Sequence, residues 1–539
     1  MQRLANGLSN TVTTVRVLGG SGVVRPLSPR KVVGLARVLR DWGTGPAGGF
    51  ATLAVTDPDR VGLVDELGEL TFGDIHRRSN ALARGLRELG VGEGDAVAVM
   101  CRNHRGFVDA TIAVAKLGAD ILYLNTAFAG PQLVAVLERE SPSAVIHDEE
   151  FSGLLGQADV EQRLLAWPDS DTTEQTTEAL IGMHDDSDLS PPQRHARIVI
   201  LTSGTTGTPK GAPRTEAGID AAVSLMSRMP LRRGWRTHIA APLFHTWGFA
   251  HLMLAMLLGS TVVLRRRFDP EEALRVTQDH GCDSMVVIPV MLQRMLALPE
   301  ETLASYDLSR VQVVAASGSA LPGTLAVSWM DHFGDNLYNI YGSTEVAYAS
   351  IATPEDLREA PASAGRPPHA TVVKVLDDEG RELPDGETGR IFVGNSMLFE
   401  GYTGGGSKDL IDGLMSTGDV GRFAEDGRLY VEGRDDEMIV SGGENVFPQE
   451  VEDCLVGHDD VVEVAAIGVD DEDFGKRLRA FVVRRDGTVG EDELKNLVKE
   501  KLARYKVPRE IVFVDELPRN ATGKVLKRQL AELDEAADG

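Results

Sequence analysis

The residues Thr202-Ser203-Gly204-Thr205-Thr206-Gly207-Thr208-Pro209-Lys210-Gly211 directly follow the apolar run Ile198-Val199-Ile200-Leu201, which predicts a buried strand. Five hydroxyl side chains and three glycines put many O–H and backbone N–H donors on the loop, and Lys210 adds a positive charge. Donors that converge on anionic oxygens are what a polyphosphate requires. The stretch therefore predicts a phosphate-binding loop after a strand, although it is not the Walker A pattern GxxxxGK[ST].

Short β-rich runs alternate with helical stretches on both sides of this loop. The clearest predicted elements are strands at 96–100, 198–201 and 311–314 and helices at 79–89 and 271–280. This alternation is typical of an α/β protein with several layers. Near residue 370 the pattern changes to strands and turns.

A smaller α+β unit of about 100 residues ends the chain, which is enough to fold alone. Its predicted elements are helix 449–456, strands 461–467 and 478–483, helix 491–504, strand 511–514 and helix 525–533. The fold class predicted is therefore α/β, with a large multilayer N-terminal domain of β-sheets flanked by helices and a small C-terminal α+β domain.

Composition narrows the classes of function. The chain has 539 residues, of which 42% are hydrophobic and 25% charged, so two or three globular domains are expected. The formal charge, 55 − 81 = −26, argues against wholesale binding to nucleic acid, but a local loop can still bind a nucleotide. Cys101, Cys282 and Cys454 lie far apart, so neither a disulfide framework nor a zinc site is indicated.

The N-terminal segment has the opposite charge to the rest of the chain. Residues 1–40 contain no Asp or Glu and seven basic residues. Asn6, Asn10 and Arg16 interrupt any apolar region of a signal peptide. We interpret residues 1–50 as a basic leader that packs on the acidic body, with a transit peptide or a membrane-surface segment as the alternatives.

Two stretches resemble familiar motifs but are better explained by ordinary structure. Residues 43–48 fit GxGxxG, yet they follow no clear strand and contain a proline, so they predict a linker turn. Residues 238–264 lack charged side chains and precede three arginines. Prolines, glycines and histidines interrupt that segment, which predicts a buried turn, helix and strand rather than a membrane span.

Two further clusters combine an aromatic ring, hydroxyls and carboxylates. The run 338–345 ends a predicted strand with Tyr341, which can stack a base, and with Glu345, which can hold Mg²⁺. In the runs 416–419 and 433–436, an Asp and an Arg offer hydrogen bonds to ribose or phosphate. Alone, the first cluster is a weak signal because Tyr and Glu are common at strand ends, and each of the two later runs is better explained by ordinary turns.

Near the C-terminus, the run 518–528 is basic and contains one glycine. Gly523 allows the backbone to approach a ligand closely, and Lys524 supplies a compact charge. A basic helix start has the same appearance.

Five motifs occur in a fixed order: TSGTTGTPKG, YGSTE, STGD, GRDDEMIVSGGENVFPQEVE and RNATGKVLKR. Together they resemble the adenylate-forming superfamily, which holds the acyl-CoA synthetases, the adenylation domains of peptide synthetases and firefly luciferase. The resemblance covers roughly residues 50–535. It implies ATP, Mg²⁺ and coenzyme A as the small molecules involved, with coenzyme A as a cosubstrate.

The resemblance also implies roles for individual residues. The loop would bind the β- and γ-phosphates, Tyr341 would stack on adenine, and Asp419 and Arg434 would hold the ribose. The implied ATP-binding set is Thr202, Ser203, Gly204, Thr205, Thr206, Gly207, Lys210, Ser317, Gly318, Tyr341, Asp419 and Arg434. The implied catalytic set is Lys524 as the adenylation lysine, Thr344 at the α-phosphate, Glu345 on Mg²⁺, and His245.

A second half-reaction requires a different surface. In relatives the C-terminal domain rotates, and the loop that resembles Ser441, Gly442 and Gly443 would then bind coenzyme A. The implied hinge is Asp436, which divides the chain into an N-terminal domain at 51–435 and a mobile C-terminal domain at 436–539.

The segment 241–249 resembles the wall of the acyl pocket, and it implies His245, Trp247 and Gly248 as pocket residues. His245 would gate the pocket, unless it is a satisfied core histidine. The segment has no acidic residue to hold a substrate amine, which disfavours an amino acid and favours an apolar acid.

The sequence therefore predicts a cytoplasmic fatty acyl-CoA synthetase that binds no nucleic acid. The alternatives are an aryl-acid CoA ligase, a ligase that loads an acyl carrier protein, and a catalytically silent nucleotide-binding protein. Peripheral contact with a membrane and a homodimer are left open.

Overall fold

The computed structural model describes residues 12–128, 130–156, 158–201, 211–214, 219–403, 406–435, 439–441, 444–471, 475–485, 488–502, 506–520 and 523–530. The loop 202–210 and the predicted hinge residue Asp436 lie outside these ranges, as do Gly442 and Gly443.

An eight-stranded sheet has the most strands of the three described sheets in the N-terminal region. From edge to edge its strands are Ser350–Ala352, Leu337–Tyr341, Val313–Ala316, Ser284–Val287, Arg236–Ile239, Thr261–Val263, Val61–Asp65 and Gly68–Thr71. The six inner strands are parallel and the two edge strands antiparallel. Because parallel strands end at one edge of a sheet, Ser317 and Gly342 begin neighbouring loops there.

A six-stranded sheet carries the strand that begins the phosphate-loop motif. Its order is Gln162–Trp167, Ala144–Asp148, Ala96–Met100, Asp120–Tyr123, Ile198–Leu201 and Gly211–Arg214. Its last pair is antiparallel, with Leu201 opposite Gly211. The two residues that flank the loop 202–210 are therefore neighbours.

Helices pack against these sheets. They are Pro29–Trp42, Pro46–Thr56, Phe72–Glu88, Arg105–Lys116, Gly130–Glu140, Ser152–Leu155, Thr177–Met183, Ile219–Met226, Thr246–Leu257, Pro270–Asp279, Pro289–Leu296, Glu300–Leu303, Gly323–Phe333 and Pro354–Glu359, with a 3₁₀ turn at Glu149–Phe151. Residues 12–20 are also helical. Every residue of Arg105–Lys116 is buried, and this helix contributes to the apolar core that both sheets share.

A third sheet holds the two predicted ribose contacts. Its strands are Val372–Leu376, Gly389–Gly394, Leu414–Phe423, Leu410–Ile411 and Leu429–Arg434, and all their pairings are antiparallel. In the pairing of Leu414–Phe423 with Leu429–Arg434, Asp419 stands opposite Arg434.

The C-terminal unit is built on its own sheet, whose strands are Glu444–Val446, Ile439–Ser441, Gly475–Arg484, Val461–Asp471 and Glu510–Phe513. The helices Pro448–Val456 and Glu491–Lys501 complete it, and residues 527–530 are helical. A separate apolar cluster fills this unit. The predicted α/β class with a small C-terminal α+β unit is confirmed.

Most differences from the predicted elements lie at their ends. The helix predicted at 79–89 spans Phe72–Glu88, because Thr71 and Asp74 form a capping box that starts it earlier. The strand predicted at 311–314 is Val313–Ala316, since the amide of Val311 bonds to Leu308 in a turn.

The GxGxxG-like segment 43–48 and the uncharged segment 238–264 both have the ordinary structure that was predicted. Gly43 caps the end of helix Pro29–Trp42, and Gly45 precedes Pro46 at the start of the next helix. The segment 238–264 runs from a strand through helix Thr246–Leu257 into the strand Thr261–Val263. In the described part of the chain, no helix has both the length and the apolar character needed to cross a membrane.

Candidate active site

Tyr341, Asp419 and Arg434 form one hydrogen-bonded group at the edge of the eight-stranded sheet. The Tyr341 hydroxyl donates to Oδ2 of Asp419 at 2.5 Å, and a guanidinium nitrogen of Arg434 lies 3.2 Å from Oδ1. Burial raises the pKa of Asp419, although Arg434, Tyr341 and Lys524 each act to lower it. The group offers an aromatic ring beside a carboxylate whose position is fixed from two sides.

Glu345 lies in the turn that follows Tyr341. Its amide donates to Oγ of Ser343 at 3.2 Å, and its carboxylate Oε1 accepts a hydrogen bond from the Tyr402 hydroxyl at 2.7 Å. Burial raises the pKa of the Tyr402 phenol, and the neighbouring Glu345 carboxylate raises it further. The phenol therefore stays protonated and remains a hydrogen-bond donor. Carboxylate oxygens are suitable ligands for Mg²⁺, and Glu345 lines the central cavity.

Thr403 forms hydrogen bonds with Gly211, the last residue of the phosphate-loop motif. Its Oγ1 accepts from the amide of Gly211 at 2.9 Å and donates to Oε1 of Glu140 at 2.7 Å. The backbone amide of Thr403 also donates to the carbonyl of Gly211 at 2.9 Å. One dipeptide, Tyr402-Thr403, therefore contacts both the carboxylate at 345 and the end of the loop.

Lys524 is brought to this site by the C-terminal unit. The backbone of Lys524 pairs with Asn520, since each amide donates to an oxygen of the other residue at 2.9 Å. Between them Gly523 has φ +78°, and a Cβ there would lie 2.6 Å from Cγ1 of Val290. Only glycine fits this close contact with the N-terminal region.

A second contact fixes the two regions in the same arrangement. The Gln293 side-chain amide donates to the carbonyl of Val462 at 2.9 Å. Lys524 then lies close enough to Asp419 to lower the pKa of that carboxyl.

A cavity of about 3060 Å³ connects these groups. The predicted site residues that line it are Ser317, Gly318, Tyr341, Thr344, Glu345, Asp419, Arg434, Lys524, His245 and Trp247. Ser317 and Gly318 follow the strand Val313–Ala316, and Gly318 has φ +103°. The structure thus collects residues from four separate motifs around one space.

The segment predicted to line the acyl pocket begins helix Thr246–Leu257. His245 stands at its N-cap, and burial lowers its pKa to about 4, so the imidazole is neutral near pH 7. Trp247 donates its indole N–H to the carbonyl of Val287 at 3.0 Å, which fixes the ring. Close packing requires glycine at position 248, because a Cβ there would lie 2.2 Å from the carbonyl oxygen of Pro242.

Several predicted residues have no described environment. Thr202, Ser203, Gly204, Thr205, Thr206, Gly207 and Lys210 lie outside the described residues, as do Asp436, Gly442 and Gly443. Ser441 ends the strand Ile439–Ser441. Sequence reasoning missed Tyr402, Thr403 and Glu140, since no local pattern distinguishes them.

One buried polar group lies apart from the cavity. Among the described residues, Cys101, His104 and Asp148 bring their polar atoms within 4.8 Å of one another. His104 Nε2 bonds to Asp148 at 2.8 Å, and its Nδ1 accepts from the amide of Gly106 at 3.0 Å. Both ring nitrogens already have partners, so we assign this group a structural role.

Comparison with known proteins defines the class. The AMP-binding enzyme family matches residues 50–403, and the AMP-binding enzyme C-terminal domain matches residues 450–524. A feruloyl-CoA synthase of an Amycolatopsis species is 33% identical over 473 residues, covering 86% of this chain and 93% of that protein. A 2-succinylbenzoate–CoA ligase of Bacillus licheniformis is 34% identical over 486 residues, covering 88% and 97%.

A solved structure agrees with these relatives. The anthranilate CoA ligase AuaEII, in complex with anthranoyl-AMP, has a TM-score of 0.80 and 26% identity, covering 94% of this chain and 98% of that chain. The chain therefore belongs to the AMP-binding enzyme family, as its five motifs predicted. Within the family it is an AMP-forming acid–CoA ligase that uses ATP, coenzyme A and a small carboxylic acid, with Mg²⁺ as the metal typical of the family.

Proposed function

We propose that this ligase activates an aromatic carboxylic acid as its acyl-adenylate and transfers the acyl group to coenzyme A. The observation that carries the proposal is the convergence of Tyr341, Asp419, Glu345 and Lys524 on one cavity with an apolar wall. Residues of the helix Thr246–Leu257, among them Trp247, Met253 and Leu257, line the same cavity.

In the first half-reaction, the substrate carboxylate attacks the α-phosphorus of ATP and pyrophosphate leaves. Both reactants are anionic, so catalysis consists of positioning and charge stabilisation. We assign the ring of Tyr341 to adenine and the Asp419–Arg434 pair to the ribose. Lys524 would lie between the carboxylate and the α-phosphate, and Thr344 would hydrogen-bond to that phosphate.

Glu345 is the residue we assign to Mg²⁺, which would neutralise phosphate charge when bound. The hydrogen bond from Tyr402 orients this carboxylate, and Thr403 holds the end of the phosphate loop. The loop residues 202–207 and Lys210 keep their proposed role at the β- and γ-phosphates.

In the second half-reaction, the thiol of coenzyme A attacks the acyl carbon, AMP leaves, and the thiol proton is released. Lys524 and its neighbours occupy the cavity in the present arrangement. We infer that the C-terminal unit rotates about Asp436, withdraws Lys524, and brings the segment 441–443 to coenzyme A. The domain boundaries 51–435 and 436–539 follow from this hinge, with residues 1–50 as a separate leader.

For the substrate acid, the comparisons favour the alternative of an aryl acid over the predicted fatty acid. The relatives named above act on ferulate, 2-succinylbenzoate and anthranilate, all of which contain an aromatic ring. The cavity lining includes the aromatic side chains Trp247 and Phe249 and the small side chains Ala222 and Ala347. Aromatic side chains suit a ring as substrate, since aromatic groups pack edge to face or offset.

His245 would contribute to this wall as a neutral group, since burial lowers its pKa to about 4. A neutral imidazole can accept or donate a hydrogen bond to a ring substituent without adding charge. We therefore assign His245 a part in substrate fit and gating rather than in charge stabilisation.

The test is pyrophosphate release with ATP and Mg²⁺ across matched panels of aryl, aryl-alkyl, fatty and amino acids, with and without coenzyme A. We expect the highest kcat/KM with aryl acids and an acceleration by coenzyme A. Turnover confined to fatty acids would instead support the fatty acyl-CoA synthetase that the sequence predicts. Release that coenzyme A does not affect would indicate a carrier-protein ligase, and absence of release with every acid would indicate a silent nucleotide-binding protein.

A further inference from the structure

Exposed apolar side chains concentrate in the first described part of the chain. Among the described residues, twelve large hydrophobic side chains are exposed, and seven lie within residues 12–55: Val12, Val15, Val24, Val32, Val33, Leu39 and Val55. Single exposed hydrophobic residues are ordinary, but a concentration of them marks an interaction surface. This segment therefore needs an explanation beyond folding.

The helix Pro29–Trp42 shows the pattern most clearly. Its exposed residues are Pro29, Arg30, Val32, Val33, Ala36, Arg37, Leu39 and Arg40. With 3.6 residues per turn these fall on one half of the helix, which we call the outer face. The outer face contains apolar side chains and arginines and no acidic residue, while the buried Val38 lies on the opposite side.

The single acid of this helix neutralises only part of the charge of the outer face, which has three arginines. Asp41 is half-buried and is shared by two arginines, with Arg40 Nε at 2.7 Å and Arg37 Nε at 3.6 Å. Residues 12–42 contain six basic residues and one acid, so their charge is 6 − 1 = +5 in a chain of −26. An anionic surface would attract this segment and repel much of the rest, which orients the protein.

The inner side of the same helix borders the large cavity. Leu35, on this inner side, and Leu39, at the limit of the outer face, line the cavity together with Met253 and Leu257 of the helix Thr246–Leu257. The helix Pro29–Trp42 thus separates the exterior from the cavity that contains the acyl wall.

We propose that residues 12–42 dock the enzyme on an anionic phospholipid surface, with the outer face of helix Pro29–Trp42 at the headgroups. Valine and leucine side chains would enter the headgroup boundary, and the arginines would contact lipid phosphates. Helices that lie at a membrane surface combine apolar side chains in the headgroup region with basic residues that attract anionic lipids, and they bind the membrane reversibly. The inference does not depend on which acid the active site accepts.

The experiment is sedimentation of the full-length protein with phosphatidylcholine vesicles that contain or lack phosphatidylglycerol. We expect binding to the anionic vesicles alone, and weaker binding as salt is raised. Val33→Glu and Arg37→Glu change exposed side chains, 70% and 78% accessible, so the fold should survive. Each should weaken partitioning by about tenfold or more, because one basic residue near such a surface changes binding about fivefold.

Matched controls lie elsewhere on the surface. Val372→Glu changes a valine that is 49% exposed, and Arg381→Glu an arginine whose side chain is 72% exposed. Both controls should bind vesicles as the wild type does, and all four variants should retain turnover of a water-soluble acid. Absence of vesicle binding by the wild type, or equal loss in the controls, would overturn the proposal. Concentration-dependent self-association that Val33→Glu abolishes, without lipid binding, would assign the face to a second copy instead.

Discussion

The Tyr402 hydroxyl donates a hydrogen bond to Oε1 of Glu345 across 2.7 Å, although the two residues are 57 positions apart in the sequence. This contact orients the carboxylate that we assign to Mg²⁺. The next residue, Thr403, bonds to the end of the phosphate-loop motif at Gly211. The dipeptide therefore links two parts of the proposed nucleotide site that occur in the sequence as separate motifs.

Tyr402→Phe should weaken the response to Mg²⁺ because it removes the donor that orients Glu345. A hydrogen bond to a charged group contributes about 1.5–3 kcal/mol, so we expect roughly a tenfold rise in the Mg²⁺ concentration for half-maximal pyrophosphate release. Tyr306→Phe is the matched control, since that hydroxyl also donates to a glutamate Oε1, of Glu271 at 3.1 Å, but at the surface. An unchanged Mg²⁺ titration in Tyr402→Phe would show that this contact does not serve the metal.

Thr403→Val should raise the KM for ATP with a smaller effect on kcat. The valine neither accepts from the Gly211 amide nor donates to Glu140, and loss of two such bonds should raise KM by about tenfold. Thr403→Ser keeps the hydroxyl and should restore the KM. If the serine variant is as impaired as valine, the effect comes from packing and the loop is held by other contacts.

Lys524→Ala should abolish most adenylation while it spares the second half-reaction. Removal of one charge that stabilises a transition state costs about 10²–10³ in rate. The measurement compares pyrophosphate release with thioester formation from a supplied acyl-adenylate. Lys499→Ala, on the exposed part of helix Glu491–Lys501, is the control. Equal loss of both half-reactions would contradict the assigned role.

Asp436→Pro should impair thioester formation and leave adenylation near its normal rate. Proline fixes φ, so a residue that must change conformation between two domain arrangements can no longer do so. Asp436→Ala keeps the backbone free and should support both steps. A proline variant that is normal in both steps would move the hinge to another residue.

His245→Gln should reduce the loss of stability on acidification. Burial lowers the pKa of His245 to about 4 from its ordinary 6.5, so between these values the unfolded chain binds a proton that the folded protein does not. The free energy of unfolding therefore falls as pH decreases from about 6.5 to about 4, by about 1.4 kcal/mol per pH unit for one such group. Urea unfolding across this range should show a shallower slope in the variant.

His184→Gln provides the contrast for the same titration. The hydrogen bond to Glu88 raises the pKa of His184, so this histidine stabilises the fold at low pH and loses that effect as pH rises through its folded pKa. Because that loss occurs above the ordinary pKa of 6.5, replacing His184 should leave the slope between about pH 4 and 6.5 unchanged and remove a fall in stability at higher pH. A His245→Gln slope that equals that of the wild type would contradict the lowered pKa of this imidazole in the folded protein.

Local order along the chain was largely predictable. The run Ile198–Leu201 is a strand, and the alternation of strands and helices gave the α/β class, because side-chain periodicity and capping act over a few residues. The ends of elements were less certain. The helix Phe72–Glu88 begins seven residues before its predicted start, since its capping box lies outside the apolar repeat.

Motif order in the sequence determined the family and named Tyr341, Glu345, Asp419, Arg434 and Lys524 as one site. Only the tertiary structure decided how they meet. Sheet register sets Asp419 opposite Arg434, and the fold brings Thr403 to Glu140 from 263 positions away. Those contacts depend on which strands pair and in what register, which is a long-range property of packing. The face of helix Pro29–Trp42 that remains exposed was decided in the same way, because it depends on what the rest of the chain covers.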